Sequence, residues 1–257
     1  MSSRTGNYIE RLLNAAALKR WSKRANAVQT LGLGELRNVR TQARDLRAQL
    51  DQVLFEAEGR LALPFMGSNA MQLPLYTDWS YRPEIWRGPI TPQGASSVLT
   101  KASIGNEGTL FHDCRVSELT YRQVRNVSDM DLAPFGLRLD VFRFDGSFLS
   151  LSVDLPSEVC EGLSKRHILR LDCAVDLENP IEIFARLNVK HGPNLEHVVR
   201  EIPLGSDDVF VEFDLAYTKL NEKRVEKVWI DLIFEGPEMN QIVLRDLTLS
   251  RRPRAEL

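Results

Sequence analysis

The 257-residue chain is 43% hydrophobic and 26% charged, which excludes a disordered, collagen-like or membrane-bundle composition and leaves an ordinary globular protein. Its formal charge is only −2, yet residues 1–60 hold 11 Lys/Arg against 6 Asp/Glu (net +5) and the remainder 22 against 29 (net −7). Two parts with different partners are expected. The basic end reads as a solvated helix face, and direct contact with nucleic acid is not expected.

From Tyr8 to Val28 the spacing of Ile9, Leu12, Leu13, Ala16 and Trp21 predicts a helix, basic on its polar side through Arg11, Lys19, Arg20, Lys23 and Arg24. Such a helix docks on a protein or lies on a membrane surface; the protein reading is preferred. Leu31-Gly32-Leu33-Gly34 interrupts it. Then Leu36, Val39, Ala43, Leu46, Leu50, Val53 and Ala57 recur at spacings of 3 and 4, the a and d positions of three heptads. The pattern fits a short coiled-coil seam or the stripe of one amphipathic helix packed on its own domain. If it is a seam, these seven residues carry oligomerisation, and a homo-oligomer is expected. Residues 1–60 are thus a helical anchoring or oligomerisation segment.

Residues 61–108 are punctuated by Pro and Gly and read as a connector. The uncharged run Leu61–Thr77 contains Pro64, Gly67 and Pro74, so no membrane span is expected. Nor does the N-terminus carry a long apolar core, so no secretory leader is expected. Trp79, Tyr81 and Trp86 suggest a platform on which a sugar ring stacks, or an aromatic cover over the end of a sandwich. Those three are the candidate glycan contacts.

Residues 109–257 read as a β-sandwich. Phe111–Asn126 opens it, with Val116, Leu119, Tyr121 and Val124 as apolar candidates. Period-two alternation follows in Leu137–Val141, Leu149–Leu155, Leu169–Leu177, Ile181–Val189, Val209–Leu215 and Val228–Phe234, with weaker signals at Val198–Ile202 and Ile242–Leu249. Asp145-Gly146-Ser147 looks like a hairpin turn, and the phase slip between Leu244 and Leu247 suggests a β-bulge. Eight strands predict a mainly β, antiparallel, jelly-roll-like sandwich.

Catalytic motifs are not found: no nucleophile elbow, zinc-protease motif, phosphate loop or dinucleotide fingerprint. His112-Asp113-Cys114 alternate faces along a strand and cannot all meet one metal ion. The pairs Asp140/Asp145, Asp172/Asp176 and Asp231/Glu235 are read as solvated strand faces rather than a glycosidase pair. Cys114, Cys160 and Cys173 are an odd, scattered set, so no disulfide framework is expected. The expectation is a non-enzyme without cofactor or metal.

The stretches Asp140–Leu149, Ile181–Asn194, Phe213–Arg224, Trp229–Asn240 and Arg251–Leu257, with the segment around Trp79 and Trp86, resemble an uncharacterised family from Rhodobacter-type alphaproteobacteria. More loosely, Trp229–Leu249 is similar to the closing strands of carbohydrate-binding jelly rolls. The same bacterial group makes gene transfer agents, phage-like particles that deliver DNA. The resemblance therefore implies a head-spike or fibre-base adaptor, with capsid or fibre proteins and cell-surface polysaccharide as partners. It would be assembled in the cytoplasm and carried on an extracellular particle. The competing readings are a free carbohydrate-binding module and a cytoplasmic protein–protein adaptor.

Overall fold

A computed structural model describes residues 3–61, 71–128, 131–204 and 209–254, with helical side chains at 13–47, 49, 50 and 53. Residues divide into two compact units, Met1–Leu54 and Phe55–Leu257.

In the first unit, α1 (Ser3–Ala27) and α2 (Leu33–Leu61) are separated by a single turn, Val28–Thr30. The break falls where the glycines predict it: the Gly32 carbonyl accepts from Leu36 N at 2.9 Å and starts α2. Beside the turn, Arg24 lies over the Trp21 ring at 5.0 Å and donates to Gln42 Oε1 at 2.8 Å. Leu36 and Val39 are half-buried, whereas Leu46, Leu50 and Val53 are 39%, 53% and 63% exposed. The Ala57 side chain lies outside the described residues. Among the described side chains of the stripe, Leu36 and Val39 are covered and Ala43, Leu46, Leu50 and Val53 are exposed.

The second unit is a β-sandwich. Its elements in chain order are β1 (Trp79–Tyr81), α3 (Glu84–Arg87), β2 (Gly94–Ser96), β3 (Lys101–Ile104), β4 (Gly108–His112), β5 (Leu119–Arg125), β6 (Phe135–Val141) and β7 (Leu149–Asp154). There follow β8 (His167–Leu177), β9 (Ile183–His191), β10 (Asn194–Glu201), β11 (Phe210–Asp214), β12 (Val225–Phe234) and β13 (Asn240–Pro253). One antiparallel sheet runs β11-β8-β13-β6-β5-β2, with β1 also paired to β13; the other runs β10-β9-β12-β7-β4-β3. Among the described residues β6 to β13 are the eight strands expected from Leu137 onward, and they are dealt between the two sheets in jelly-roll order.

The core follows the alternation. Leu149, Leu151 and Val153, Ile183, Ala185 and Leu187, and Val228, Ile230 and Leu232 point from one sheet; Leu137, Leu139, Leu169, Leu171, Val211 and Phe213 point from the other, and all are buried. Burying one such Leu, Ile or Val contributes about 1.5–3 kcal/mol, so this shared interior dominates the stability of the fold. In β13 the register shifts between Leu244 and Asp246, the expected bulge, which lets Leu244 and Leu247 both face the core. Before the bulge β13 pairs with β6, and after it with β1.

Three expectations are corrected. Residues 79–104 are not merely a connector: β1, β2, β3 and α3 belong to the sandwich, and the boundary expected at 109 cuts through β4. Residues 62–70 of the expected connector lie outside the described residues. The turn at Asp145-Gly146-Ser147 does not close a hairpin, because β6 and β7 lie in different sheets. Asp113 holds that crossing, accepting from Ser147 N at 2.7 Å and Ser147 Oγ at 2.6 Å. A local turn signal says that the chain reverses, not which sheet receives it. Val116 is 67% exposed and lies outside the strands.

Candidate functional site

Strands that bury every second residue present the intervening ones outward, and the ladder registers decide which of these become neighbours. Across the β10-β9-β12-β7-β4-β3 sheet, one outward row reads Val199, Arg186, Asp231, Ser152, Thr109, Ser103. On one side of it lies Glu201, Phe184, Ile233, Ser150, Phe111, Lys101. On the other lies His197, Asn188, Trp229, Asp154. A polar row is therefore flanked by partly exposed apolar side chains: Phe111, Phe184 and Ile233 on one side, Trp229 on the other.

The polar groups are fixed by one another. Asp231 is only 6% exposed, and its Oδ2 accepts from Arg186 Nε at 3.0 Å, Arg186 Nη2 at 2.8 Å and Asn188 Nδ2 at 2.8 Å. Its Oδ1 accepts from none of the described residues. His197 Nδ1 meets Asn188 Oδ1 at 2.6 Å; since Asn188 donates to Asp231 through Nδ2, the imidazole donates through Nδ1 and leaves Nε2 open. Such a network holds its free donors and acceptors in place before any ligand arrives.

Three cations of this face are paired with carboxylates. Lys190 meets Glu226 at 2.7 Å, Lys227 meets Asp154 at 2.8 Å and Arg186 meets Asp231 at 2.8 Å. The Lys190 hydrogen bond, reinforced by its charge, holds the Glu226 carboxyl below its usual range. Lys227 also lies 5.6 Å from the Trp229 ring centre and Lys101 5.7 Å from that of Phe111. The surface offers oriented hydrogen-bonding groups beside apolar ring faces. Among the described residues no group of three His, Cys, Asp or Glu is arranged to hold a metal ion.

The expected aromatic platform is not formed. Trp86 is 0% exposed, its indole N–H donating to the Leu244 carbonyl at 2.8 Å, so it is a core residue and is withdrawn as a glycan contact. Trp79 and Tyr81 are half-buried against the core and stack on each other at 6.1 Å. The Tyr81 hydroxyl donates to Glu107, and burial, with that carboxylate, raises its pKa. All three rings pack in or against the core.

His112 is buried, with Nε2 at 2.9 Å from the Val98 carbonyl and Nδ1 accepting from Cys114 N, while Asp113 turns outward to Ser147. The three residues do not converge. The first members of the acidic pairs are tied to arginines: Asp140 to Arg138 at 2.8 Å, Asp172 to Arg170 at 2.6 Å and Asp231 to Arg186. Cys114, Cys160 and Cys173 are free, and burial pushes the Cys173 thiol up to about 12. On the opposite sheet a pocket of about 140 Å³ is lined in part by Arg82, Arg170, Asp172, Asp246 and Thr248. Arg82 grips Asp246 there through two bonds of 2.9 and 2.8 Å, and burial raises the Asp172 pKa.

The chain belongs to a family of unknown function (DUF6478), whose model matches residues 1–257. No curated protein matches it. Among solved structures it is similar to the family 11 carbohydrate-binding module of Clostridium thermocellum bound to a β-1,3-1,4-mixed-linked tetrasaccharide, at 13% identity and TM-score 0.38, covering 64% of this chain and 97% of that one. It is also similar to a family 30 carbohydrate-binding module, at 10% identity and TM-score 0.38, covering 71% and 92%. The enzymatically active domain of tailspike protein 4 from bacteriophage CBA120 matches at 10% identity and TM-score 0.39, covering 56% of this chain. This chain spans only 19% of that tailspike chain. None of these likenesses assigns a ligand here.

The outward row of β9 and β12 was absent from the sequence-based candidates. The signal that finds it is the other half of the alternation: Trp229 and Asp231 lie between Val228, Ile230 and Leu232.

Proposed function

We propose that this chain is a non-catalytic glycan-recognition module, and that it binds sugar on the outer face of the sheet containing β9 and β12. One observation carries this reading: Arg186 and Asp231, tied to Asn188 and His197 in one hydrogen-bonded network, lie between the rows that hold the partly exposed Phe184 and Trp229. Sugars present hydroxyls at the ring edge and C–H groups on the ring face, and a site for them needs both kinds of surface side by side. Asp231 Oδ1 and His197 Nε2 take hydroxyl hydrogens, Arg186 donates, and Trp229 takes a ring face. The test is affinity electrophoresis of the full chain through gels containing soluble polysaccharides. Retardation by at least one of them, lost in Trp229→Ala and in Asp231→Ala while the thermal midpoint holds within a few degrees, is the expected result. Migration unchanged in every polysaccharide, or retardation indifferent to both substitutions, overturns the reading.

A second reading is favoured by the uncovered apolar positions Leu13, Leu18, Leu46, Leu50 and Val53 on α1 and α2. In it the helices seat the chain on a phage-like particle as a head-spike or fibre-base adaptor and the sandwich faces outward, the protein being made in the cytoplasm and carried outside the cell. Mass spectrometry of purified particles tests it: the polypeptide must be present, and its absence removes this reading while leaving glycan recognition intact.

A further inference from the structure

The exposed part of α2 has a composition that one copy of the chain leaves unused. Ala43, Leu46, Leu50 and Val53 lie on one stripe and all face solvent. An apolar stripe at heptad spacing is built to meet another helix. If two copies ran parallel, like would meet like. Ala43 would then oppose Ala43 and leave a void beside the Leu46 and Leu50 layers. Run antiparallel about position 48, the same residues pair Leu46 with Leu50 and Ala43 with Val53, so every layer joins complementary sizes.

Charge points the same way. Residues 33–47 of α2 hold four arginines (Arg37, Arg40, Arg44, Arg47) and two acids (Glu35, Asp45), net +2. Residues 48–61 hold three acids (Asp51, Glu56, Glu58) and one arginine (Arg60), net −2. Antiparallel copies set the positive half of each helix on the negative half of the other and oppose the two helix dipoles. Parallel copies stack like on like. The cost is the approach of Arg47 to its own copy at the axis.

We infer that α2 docks on α2 of a second copy of this chain, antiparallel and centred on position 48, with Ala43, Leu46, Leu50 and Val53 as the seam. The seam shares no residue with the face proposed to bind glycan, and the inference stands whether or not sugar binds.

Sedimentation of the full chain at about 50 µM, a range in which weak helical seams still associate, is expected to give twice the 29.3 kDa chain mass. Leu50→Asp, a change at an exposed position that spares the fold, is expected to give a single-copy mass. Orientation is read with Ala43→Cys and Val53→Cys under mild oxidation, the parent treated alike. The mixture is expected to form a disulfide between the two variants. Neither variant alone should, because antiparallel copies hold the two engineered thiols of Ala43→Cys about 15 Å apart along the axis, beyond the reach of a disulfide. A single-copy mass for the parent, a larger assembly that survives Leu50→Asp, or self-pairing of Ala43→Cys overturns the inference.

Discussion

Trp86 separates a core role from a ligand role in one experiment. It is fully buried, and its N–H donates at 2.8 Å to the carbonyl of Leu244, the residue at which the β13 register shifts. A bulge interrupts the ladder, so a carbonyl there relies on a donor from outside it. Trp86→Phe keeps most of the apolar volume but removes that donor; leaving one buried carbonyl unpaired costs about 1–3 kcal/mol. Trp86→Ala also empties the ring site and costs about 3–5 kcal/mol, a large share of the 5–15 kcal/mol that is roughly the stability of a domain. Urea unfolding at constant m-value measures both. The expected order is parent, Phe, Ala, with polysaccharide retardation by the Phe variant equal to the parent's. A Phe variant within about 0.5 kcal/mol of the parent, the usual scatter of neutral surface changes, would refute the role of the indole bond. Loss of retardation without loss of stability would return Trp86 to the glycan contacts.

Gln123, 7% exposed, donates to the Ile85 and Gly88 carbonyls at 2.7 Å each and accepts from Ile90 N at 2.9 Å, so it satisfies the backbone around α3. Gln123→Leu keeps the volume, orphans those groups, and is expected to lower stability by about 1–3 kcal/mol for each that finds no water; an unchanged urea midpoint would sink this account. His167 is held below its ordinary 6.5, first by burial and then by Arg251. A base depressed on folding contributes stability that is present above its unfolded pKa and lost as pH falls through the folded value. The urea midpoint should therefore fall below pH about 6.5 and fall less in His167→Gln; parallel pH curves would refute it.

Much of the sandwich was legible because its long strands alternate cleanly. Leu149–Leu155, Ile181–Val189 and Val228–Phe234 each place buried residues two apart, and the structure pairs them in one sheet. Short strands carry no such record. β2 is Gly94–Ser96, exposed throughout, and only its pairing with Thr120–Arg122 makes it a strand. The seven residues between β6 and β7 signal a reversal, but their destination depends on the opposite sheet. Trp86 looked like a platform because aromatic residues beside prolines suit both a surface and a core. Which one it serves is decided by Leu244, 158 positions away.

The face proposed to bind glycan was hidden for a related reason, although its ingredients were in view. Arg186, Asn188, Trp229 and Asp231 sit between apolar residues that were recognised as core. Their proximity follows from register: Ile230 opposite Leu187 and Leu232 opposite Ala185 force Trp229 opposite Asn188 and Asp231 opposite Arg186. A slip of one residue would drive Trp229 and Asp231 into the core and expel Ile230 and Leu232, so burial itself forbids it. The apolar alternation thus acts twice. It builds the interior, and by locking the register it assembles outside a network that no single strand contains.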